Sequence, residues 1–157
     1  MINRQQSKYF NKDEFNPDEV EYINPAALKR YNRARKITGV PWYPSTVPGA
    51  LARFDGNKTN RHYAVERKSD AMDFFPCSAA DLKWFLFQLI GSGLFGGIGV
   101  YFDTKGYKMS SDIMFHVDCR NRTMGFPLVW YRVDEKYHYV VNKDSLNDLC
   151  RRLNHVL

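Results

Sequence analysis

The sequence predicts a small single α+β domain, with a mainly antiparallel sheet and flanking helices. The chain has 157 residues, which suits one domain of ordinary size. Its apolar content of 44% and aromatic content of 15% can build a core and exclude an intrinsically disordered protein. Short apolar stretches with the spacing of strands are concentrated in the second half, and stretches with the spacing of helices flank them.

The first half of the chain contains one clear helix and long polar connections. Residues 1–23 are polar and charged, so we predict an irregular N-terminal arm there and a domain over residues 24–157. Asn24 can cap a helix over residues 24–36, because its side chain can accept a hydrogen bond from the first turn. Residues 39–49 contain three prolines and two glycines and predict a loop, and a second polar loop follows it.

A short strand and the clearest helix come next. Residues 70–75 read as a short strand, and residues 78–91 give the clearest helix signal in the chain. Ser78 and Asp81 resemble a capping box at the start of this helix, and Gly91 is a good terminator.

The last third of the chain predicts most of the sheet. A tight turn at Asp134 and Glu135 would join the last two strands into a hairpin. The predicted elements are strands at residues 97–102, 113–119, 128–133 and 136–141, and a final helix at residues 145–156.

The charge of the chain favours an anionic partner. The formal net charge is +6, and residues 29–68 hold ten lysines or arginines against only Asp55 and Glu66. Such a surplus suits nucleic acid, a membrane surface or a bacterial cell wall. A basic surface that serves only solubility is the alternative.

Cysteine usage and hydropathy limit the possible compartments. The three cysteines, Cys77, Cys119 and Cys150, lie far apart, so they predict neither a disulfide framework nor a cysteine zinc site. A reducing compartment is the expectation. The start of the chain lacks an apolar h-region, and glycines interrupt the most apolar run, so we expect no signal peptide and no membrane span.

Histidines and acids in the chain have a suggestive spacing. His116 and Asp118 are two residues apart in a predicted strand, so their side chains share a face. An exposed polar face, or a histidine held by an acid, would explain this pair. His62 lies eleven residues before Asp73, and these two with His116 offer two imidazoles and a carboxylate, the ligands of a three-ligand zinc site. The other histidines, His138 and His155, are predicted to be structural.

Three motifs occur in an order that resembles a known family. They are SDAMDFF at residues 69–75, GGIGVYF at residues 96–102 and FHVDCR at residues 115–120. Together they resemble the M15 family of zinc D-alanyl-D-alanine peptidases, and most of all its branch from phage lysins and phage structural proteins. The resemblance covers roughly residues 37–130 and implies the small α+β fold that these peptidases share with hedgehog signalling domains.

The resemblance implies roles for particular residues. His62, Asp73 and His116 would be the ligands of a zinc ion. Arg53 resembles a family arginine that would hold a substrate carboxylate. Trp130 resembles a tryptophan that often follows the last ligand strand, and we assign it to substrate binding.

The sequence departs from the family pattern at three points. One of them is Ser69, which stands where the family's aspartate motif has a glycine. The usual histidine-to-aspartate gap is seven residues, and Glu66 stands at that distance here, but we prefer His62 because NRH resembles the family's SRH motif. The family's general base is an acid three residues before the last histidine, and that position is Ile113. The candidate catalytic acids are therefore Asp112, one residue further away, and Asp118, which could instead fix the imidazole tautomer.

The function that the resemblance implies is hydrolysis of D-amino-acid-containing peptide bonds in the peptide stems of bacterial peptidoglycan. The enzyme would be a carboxypeptidase or an endopeptidase. Without a signal peptide, we expect synthesis in the cytoplasm and action at the cell wall after lysis, after release by a holin, or from a virion. The alternatives are a catalytically inactive M15-like structural or binding protein of a virion or tail, and a basic nucleic-acid-binding domain, for which the sequence shows no motif.

Overall fold

The computed structural model describes residues 10–122 and 125–155, and in this part of the chain it shows three α-helices and one six-stranded sheet. The prediction of a small α+β domain is confirmed. The helices are α1 (Pro25–Thr38), α2 (Leu82–Gly91) and α3 (Lys143–Asn154). The strands are β1 (Trp42–Pro44), β2 (Ala71–Pro76), β3 (Gly97–Tyr101), β4 (Met114–Asp118), β5 (Leu128–Val133) and β6 (Lys136–Tyr139).

The sheet is mixed, and its strand order is β1-β2-β4-β3-β5-β6. Four of the five pairings between these strands are antiparallel, and the pairing of β3 with β5 is parallel. Strand β4 lies between β2 and β3, so Asp73, His116 and Gly99 stand side by side across three strands. This register places the FHVDCR motif at the centre of the sheet.

The two faces of the sheet carry different kinds of side chain. One face carries apolar side chains that pack against the helices, and Phe85 of α2 contacts the rings of Phe74 and Phe115 at centroid distances of 6.0 and 5.1 Å. Because side chains alternate along a strand, Asp73 and His116 point away from this core. Both are nevertheless buried, since the connection between β1 and β2 covers this part of the second face.

The ends of the helices follow local capping rules. Asn24 caps α1 as predicted, with its side chain accepting a hydrogen bond from Ala26 N at 2.9 Å. The predicted capping box of α2 at Ser78 is wrong, because Asp81 is the N-cap residue and accepts from Trp84 N. The final helix begins at Lys143, two residues earlier than predicted. None of these helices in the described ranges is long and apolar enough to cross a membrane.

Strand β1 corrects the prediction that residues 39–49 are all loop. Its prolines suggest a loop, but an edge strand tolerates proline. The indole of Trp42 stacks on the Phe74 ring at 4.0 Å, so burial of this aromatic pair fixes the strand. The predicted hairpin turn is confirmed, since Asp134 and Glu135 have φ angles of 49° and 64°, as a type I′ turn requires.

The described part of the N-terminal segment, residues 10–23, packs against the rest of the domain. It contains two short 3-10 turns at Lys12–Glu14 and Val20–Tyr22. Residues 1–9 of the predicted arm lie outside the described residues. Four apolar side chains of the segment are buried in the core: Phe10, Phe15, Val20 and Ile23.

Candidate metal centre

The three side chains predicted as metal ligands meet in the folded chain. His116 Nδ1 lies 2.8 Å from Asp73 Oδ1, and His62 Nε2 lies 3.2 Å from His116 Nδ1 and 3.3 Å from Asp73 Oδ1. All three residues are buried, and these atoms form a triangle that could hold a metal ion. Residues far apart in sequence are therefore brought together at one point.

The size of this triangle fits a tetrahedral ion. Zinc binds histidine nitrogen at ~2.0–2.1 Å, so two ligand atoms of a tetrahedral site lie ~3.3–3.4 Å apart. The distances from His62 Nε2 to His116 Nδ1 and to Asp73 Oδ1, 3.2 and 3.3 Å, are close to this value. The distance between His116 Nδ1 and Asp73 Oδ1 would have to increase by ~0.5 Å when an ion binds. Two imidazoles and a carboxylate suit zinc, and the same set also suits iron(II).

Sheet register and a local turn position the ligands. Asp73 on β2 and His116 on β4 are direct cross-strand partners. His62 lies on the connection between β1 and β2, where its backbone N–H donates to Asn60 Oδ1 at 3.0 Å. Arg53 N donates to His62 O at 2.7 Å, which ties two parts of this connection together. His62 Nδ1 is buried without a hydrogen-bond partner among the described residues.

A buried carboxylate of the N-terminal segment clamps the connection that carries His62. Glu19 Oε1 accepts from Gly49 N at 2.6 Å. Its Oε2 accepts from Leu51 N and Ala52 N, both at 2.9 Å. These backbone groups immediately precede Arg53, so the clamp fixes the chain that leads to the cluster.

Asp118 fixes the orientation of the His116 imidazole. His116 Nε2 donates to Asp118 Oδ2 at 3.2 Å, and this leaves Nδ1 to face Asp73 and His62. A histidine ligand commonly donates its second ring N–H to a carboxylate in this way. The sequence-based interpretation of Asp118 as the partner that fixes the tautomer agrees with this contact.

Charge and burial act against each other in this cluster. Burial alone would raise the pKa of Asp73, but the charge of His62 and the hydrogen bond from His116 hold it well below its usual range. Burial would lower the pKa of His116, yet its hydrogen bonds to Asp118 and Asp73 raise it to about 9. Both hydrogen bonds favour the protonated imidazole, so a metal ion at Nδ1 would compete with a proton for this atom.

The glycines of the GGIGVYF motif make room for the cluster. A Cβ atom at Gly97 would collide with the carboxylate of Asp118 on the neighbouring strand. A Cβ atom at Gly99 would lie 2.7 Å from the Trp130 indole. That indole packs against the His116 ring at a centroid distance of 5.3 Å. The small residues thus allow Asp118 and Trp130 to approach His116 from two sides.

The cluster opens onto a cavity of about 320 Å³. Arg53 and Trp130, the two predicted substrate-binding residues, both line it. The side chains in its wall are cationic, aromatic or uncharged, apart from Asp73. They are Arg53, Thr59, Asn60, Arg61, His62, Asp73, Tyr101, Met114, His116, Arg120, Leu128, Trp130, Arg132, Tyr137 and Tyr139.

Two of the sequence candidates lie away from the cluster. Asp112 is exposed, accepts from Gly106 N at 2.9 Å and lines a different cavity, beside the end of α3. Asp112 is therefore not part of the cluster of His62, Asp73 and His116, and it does not line the cavity beside that cluster. Glu66 is exposed and forms an ion pair with Lys58, and His62, not Glu66, belongs to the group that could hold a metal ion.

Three residues of the site were missed by the sequence analysis. Arg120 continues the alternation of His116 and Asp118, so its position two residues later was a usable signal. Tyr101 ends the GIGVY motif, and its hydroxyl accepts a hydrogen bond from Trp130 Nε1 at 3.3 Å. Glu19 has no sequence signal, since its partners are backbone groups thirty and more residues away.

Comparisons with family models, with curated proteins and with solved structures gave no match to this chain. The resemblance to the M15 family therefore stays a prediction. Function has to be argued from the site itself.

Proposed function

We propose that this protein is a zinc metallopeptidase of the M15 type, which hydrolyses D-amino-acid-containing peptide bonds in bacterial peptidoglycan. The observation that carries the proposal is the buried triangle of His62, Asp73 and His116 at the wall of an open cavity. Three protein ligands with an accessible side are the arrangement of a catalytic rather than a structural zinc site. The order of the three motifs resembles that of the M15 family, and this resemblance supports peptidoglycan peptides as the substrate class.

The side chains of the cavity suit a peptide substrate. A zinc ion in this site would polarise the scissile carbonyl and acidify a water molecule. Arg53 is exposed at the cavity wall and forms no ion pair with a carboxylate among the described residues, so its guanidinium is available for a substrate carboxylate. Trp130 offers an indole face beside His116, against which the substrate backbone can pack.

A second candidate function is a metal-holding structural or binding module of a virion or tail. The observation that favours it is the composition of the cavity wall. Within residues 10–122 and 125–155, Asp73 is the sole carboxylate that lines this cavity. Asp118 is buried behind His116, and Asp112 lies elsewhere, so neither is placed to take a proton from a water molecule in the cavity.

The cavity gives no support to nucleic-acid binding. Three of its four arginines, at positions 61, 120 and 132, form ion pairs with Asp70, Asp118 and Asp103. Their charges are therefore partly neutralised within the protein. Phosphate binding relies on lysines and arginines whose charge is free to meet the backbone of the nucleic acid.

The test combines metal content with digestion of purified peptidoglycan. Elemental analysis of the wild-type protein should give one zinc per chain, and mass spectrometry of the digest should show newly cut peptide stems. His116→Ala should lose both metal and activity. His138→Ala is the matched control, because His138 lies on the opposite sheet face, stacked on Tyr131, and should keep both.

The outcomes separate the two candidates. Zinc together with cut stems supports the peptidase. Zinc with intact peptidoglycan supports the structural module. A bound ion other than zinc, or equal losses in both histidine variants with folding intact, contradicts the proposed zinc site.

A further inference from the structure

We propose that Arg120 is a positioning residue, which sets the metal-binding tautomer of His116 by holding the carboxylate of Asp118 in one orientation. The inference rests on the metal site of the proposed function, but it does not depend on peptide hydrolysis. It assigns a role to a side chain of the cavity wall that contacts none of the three ligand residues by a hydrogen bond among the described residues.

Arg120 binds both oxygens of Asp118. Its Nε donates to Oδ1 at 2.7 Å and to Oδ2 at 3.0 Å, and its Nη2 donates to Oδ2 at 2.5 Å. Its backbone N–H donates to Oδ1 at 3.1 Å. A planar guanidinium that meets a carboxylate through two nitrogens fixes the plane of that carboxylate as well as its charge.

Asp118 needs these contacts because it has no access to water. Its side chain is fully buried, and its remaining partner is His116 Nε2. A buried carboxylate without sufficient donors rotates towards other partners, because an unpaired buried charge is costly. A rotated Asp118 carboxylate would no longer accept the hydrogen bond from Nε2, and the neutral imidazole could then carry its proton on Nδ1 instead. Nδ1 is the atom that faces Asp73 and His62, so the metal position would be blocked.

The surroundings hold Arg120 in this position. Its guanidinium lies 5.4 Å from the centre of the Trp130 ring, which packs on His116. Gly96 allows close approach of the Arg120 backbone, because a Cβ atom there would collide with the Arg120 carbonyl group. One tryptophan thus contacts both the first and the last member of the series His116, Asp118 and Arg120.

The experiment compares Arg120→Lys and Arg120→Gln with Arg132→Lys. Arg132 is the matched control because it lines the same cavity and forms an ion pair with Asp103 at 2.8 Å, away from Asp118. Zinc affinity is measured by competition with a chelating dye, and cobalt(II) spectra report the ligand geometry. Nitrogen NMR of the imidazoles in the zinc-loaded protein reports which ring nitrogen of His116 carries the proton.

We expect both Arg120 variants to bind zinc ~10–100-fold more weakly, as the loss of an outer partner of a ligand does. Arg120→Lys should fail to restore affinity, because an ammonium cannot span both oxygens. Arg132→Lys should bind zinc as the wild type does. Because Arg120 acts through Asp118, adding Arg120→Lys to Asp118→Asn should weaken binding no further.

Several results would overturn the inference. Additive losses in the double variant would mean that Arg120 acts on the metal site by another route. Wild-type affinity and an unchanged His116 signal in Arg120→Gln would remove its positioning role. If Arg120→Gln does not fold, the zinc affinities of Arg120→Lys and of the double variant still test whether Arg120 acts through Asp118. If the wild type binds zinc without cutting peptidoglycan, the proposed peptidase falls while this inference stands, and if the wild type binds no metal, both fall.

Discussion

Gly97 leaves room for the carboxylate of Asp118, which accepts a hydrogen bond from His116. We predict that Gly97→Ala weakens zinc binding by ~10–100-fold, because the new methyl group would displace the Asp118 carboxylate that orients His116. Crowding of this buried position should also lower the free energy of unfolding by ~1–3 kcal/mol. Zinc titration and urea unfolding measure the two effects.

Gly91→Ala is the matched control for this prediction. Gly91 is the last residue of α2, and apart from its chain neighbours and the backbone of its own helix, no atom of the described residues lies within 4 Å of the Cβ position there. Alanine should therefore leave zinc binding unchanged and stabilise the helix by ~0.5–1 kcal/mol. Equal zinc affinity in the Gly97 and Gly91 variants would contradict the role of Gly97.

Single residues also show how far the sequence could predict the site. The alternation of side chains in a strand was enough to pair His116 with Asp118, because that rule is local. The approach of His62 to the same point came from a motif resemblance, since no local rule connects residues fifty-four positions apart. For Asp112, a count of residues before His116 does not show where the side chain points, and in the structure it accepts from Gly106 N and lines a different cavity.

At the scale of elements, a small polar joint connects α3 to the sheet. Tyr131 on β5 donates through its hydroxyl to Asp148 Oδ2 at 2.6 Å, and Arg152 donates to the same oxygen at 2.8 Å. The hydrogen bond from Tyr131, followed by those from Arg152 and Arg151, lowers the pKa of Asp148 well below its usual range. The joint therefore depends on an ionised carboxylate.

This joint predicts a pH dependence of stability. The pKa of Asp148 is lower in the folded than in the unfolded chain, so its contribution is complete above the unfolded value of ~3.9 and is lost as the pH falls towards the folded value. Asp148→Asn should lower the free energy of unfolding by ~1 kcal/mol at pH 7. The difference from the wild type should shrink below about pH 4.

Urea unfolding between pH 2.5 and 7 measures this difference. Asp55→Asn provides the control, because Asp55 is an exposed acid of a loop and its change should have little effect at any pH. A difference for Asp148→Asn that stays constant down to pH 2.5 would contradict the joint.

Elements were predictable where their signals are local. The order and type of the three helices and of strands β2 to β6 follow from periodicity, from the asparagine that caps α1 and from the two-residue hairpin turn. Strand β1 was missed because it is three residues long and ends in proline, and its stability comes from the stacking of Trp42 on Phe74. Local sequence patterns do not show a contact of this kind between residues that are far apart in the chain.

At the scale of the whole molecule, the N-terminal segment is joined by hydrogen bonds to the connection that carries His62. Glu19 lies in the segment that the sequence predicts as an arm, yet its carboxylate accepts three backbone hydrogen bonds from residues 49–52. Asn16 adds a fourth donor at 3.2 Å. Glu19 therefore fixes the backbone of the connection that carries His62, more than forty positions later in the chain.

This clamp predicts that Glu19→Gln impairs both folding and metal binding. Glutamine has one acceptor oxygen, so its NH2 group would face at least one backbone N–H group, that of Gly49, with no acceptor between them. Loss of charge-assisted bonds and of buried acceptors should lower the free energy of unfolding by ~3 kcal/mol. Zinc binding should weaken as well, because residues 49–52 lead to Arg53, whose backbone N–H holds His62 O. Glu21→Gln is the matched control, since Glu21 is an exposed acid of the same segment and should change neither property. Urea unfolding in chelator and zinc titration of both variants provide the measurement, and equal behaviour of the two would show that the N-terminal segment does not support the site.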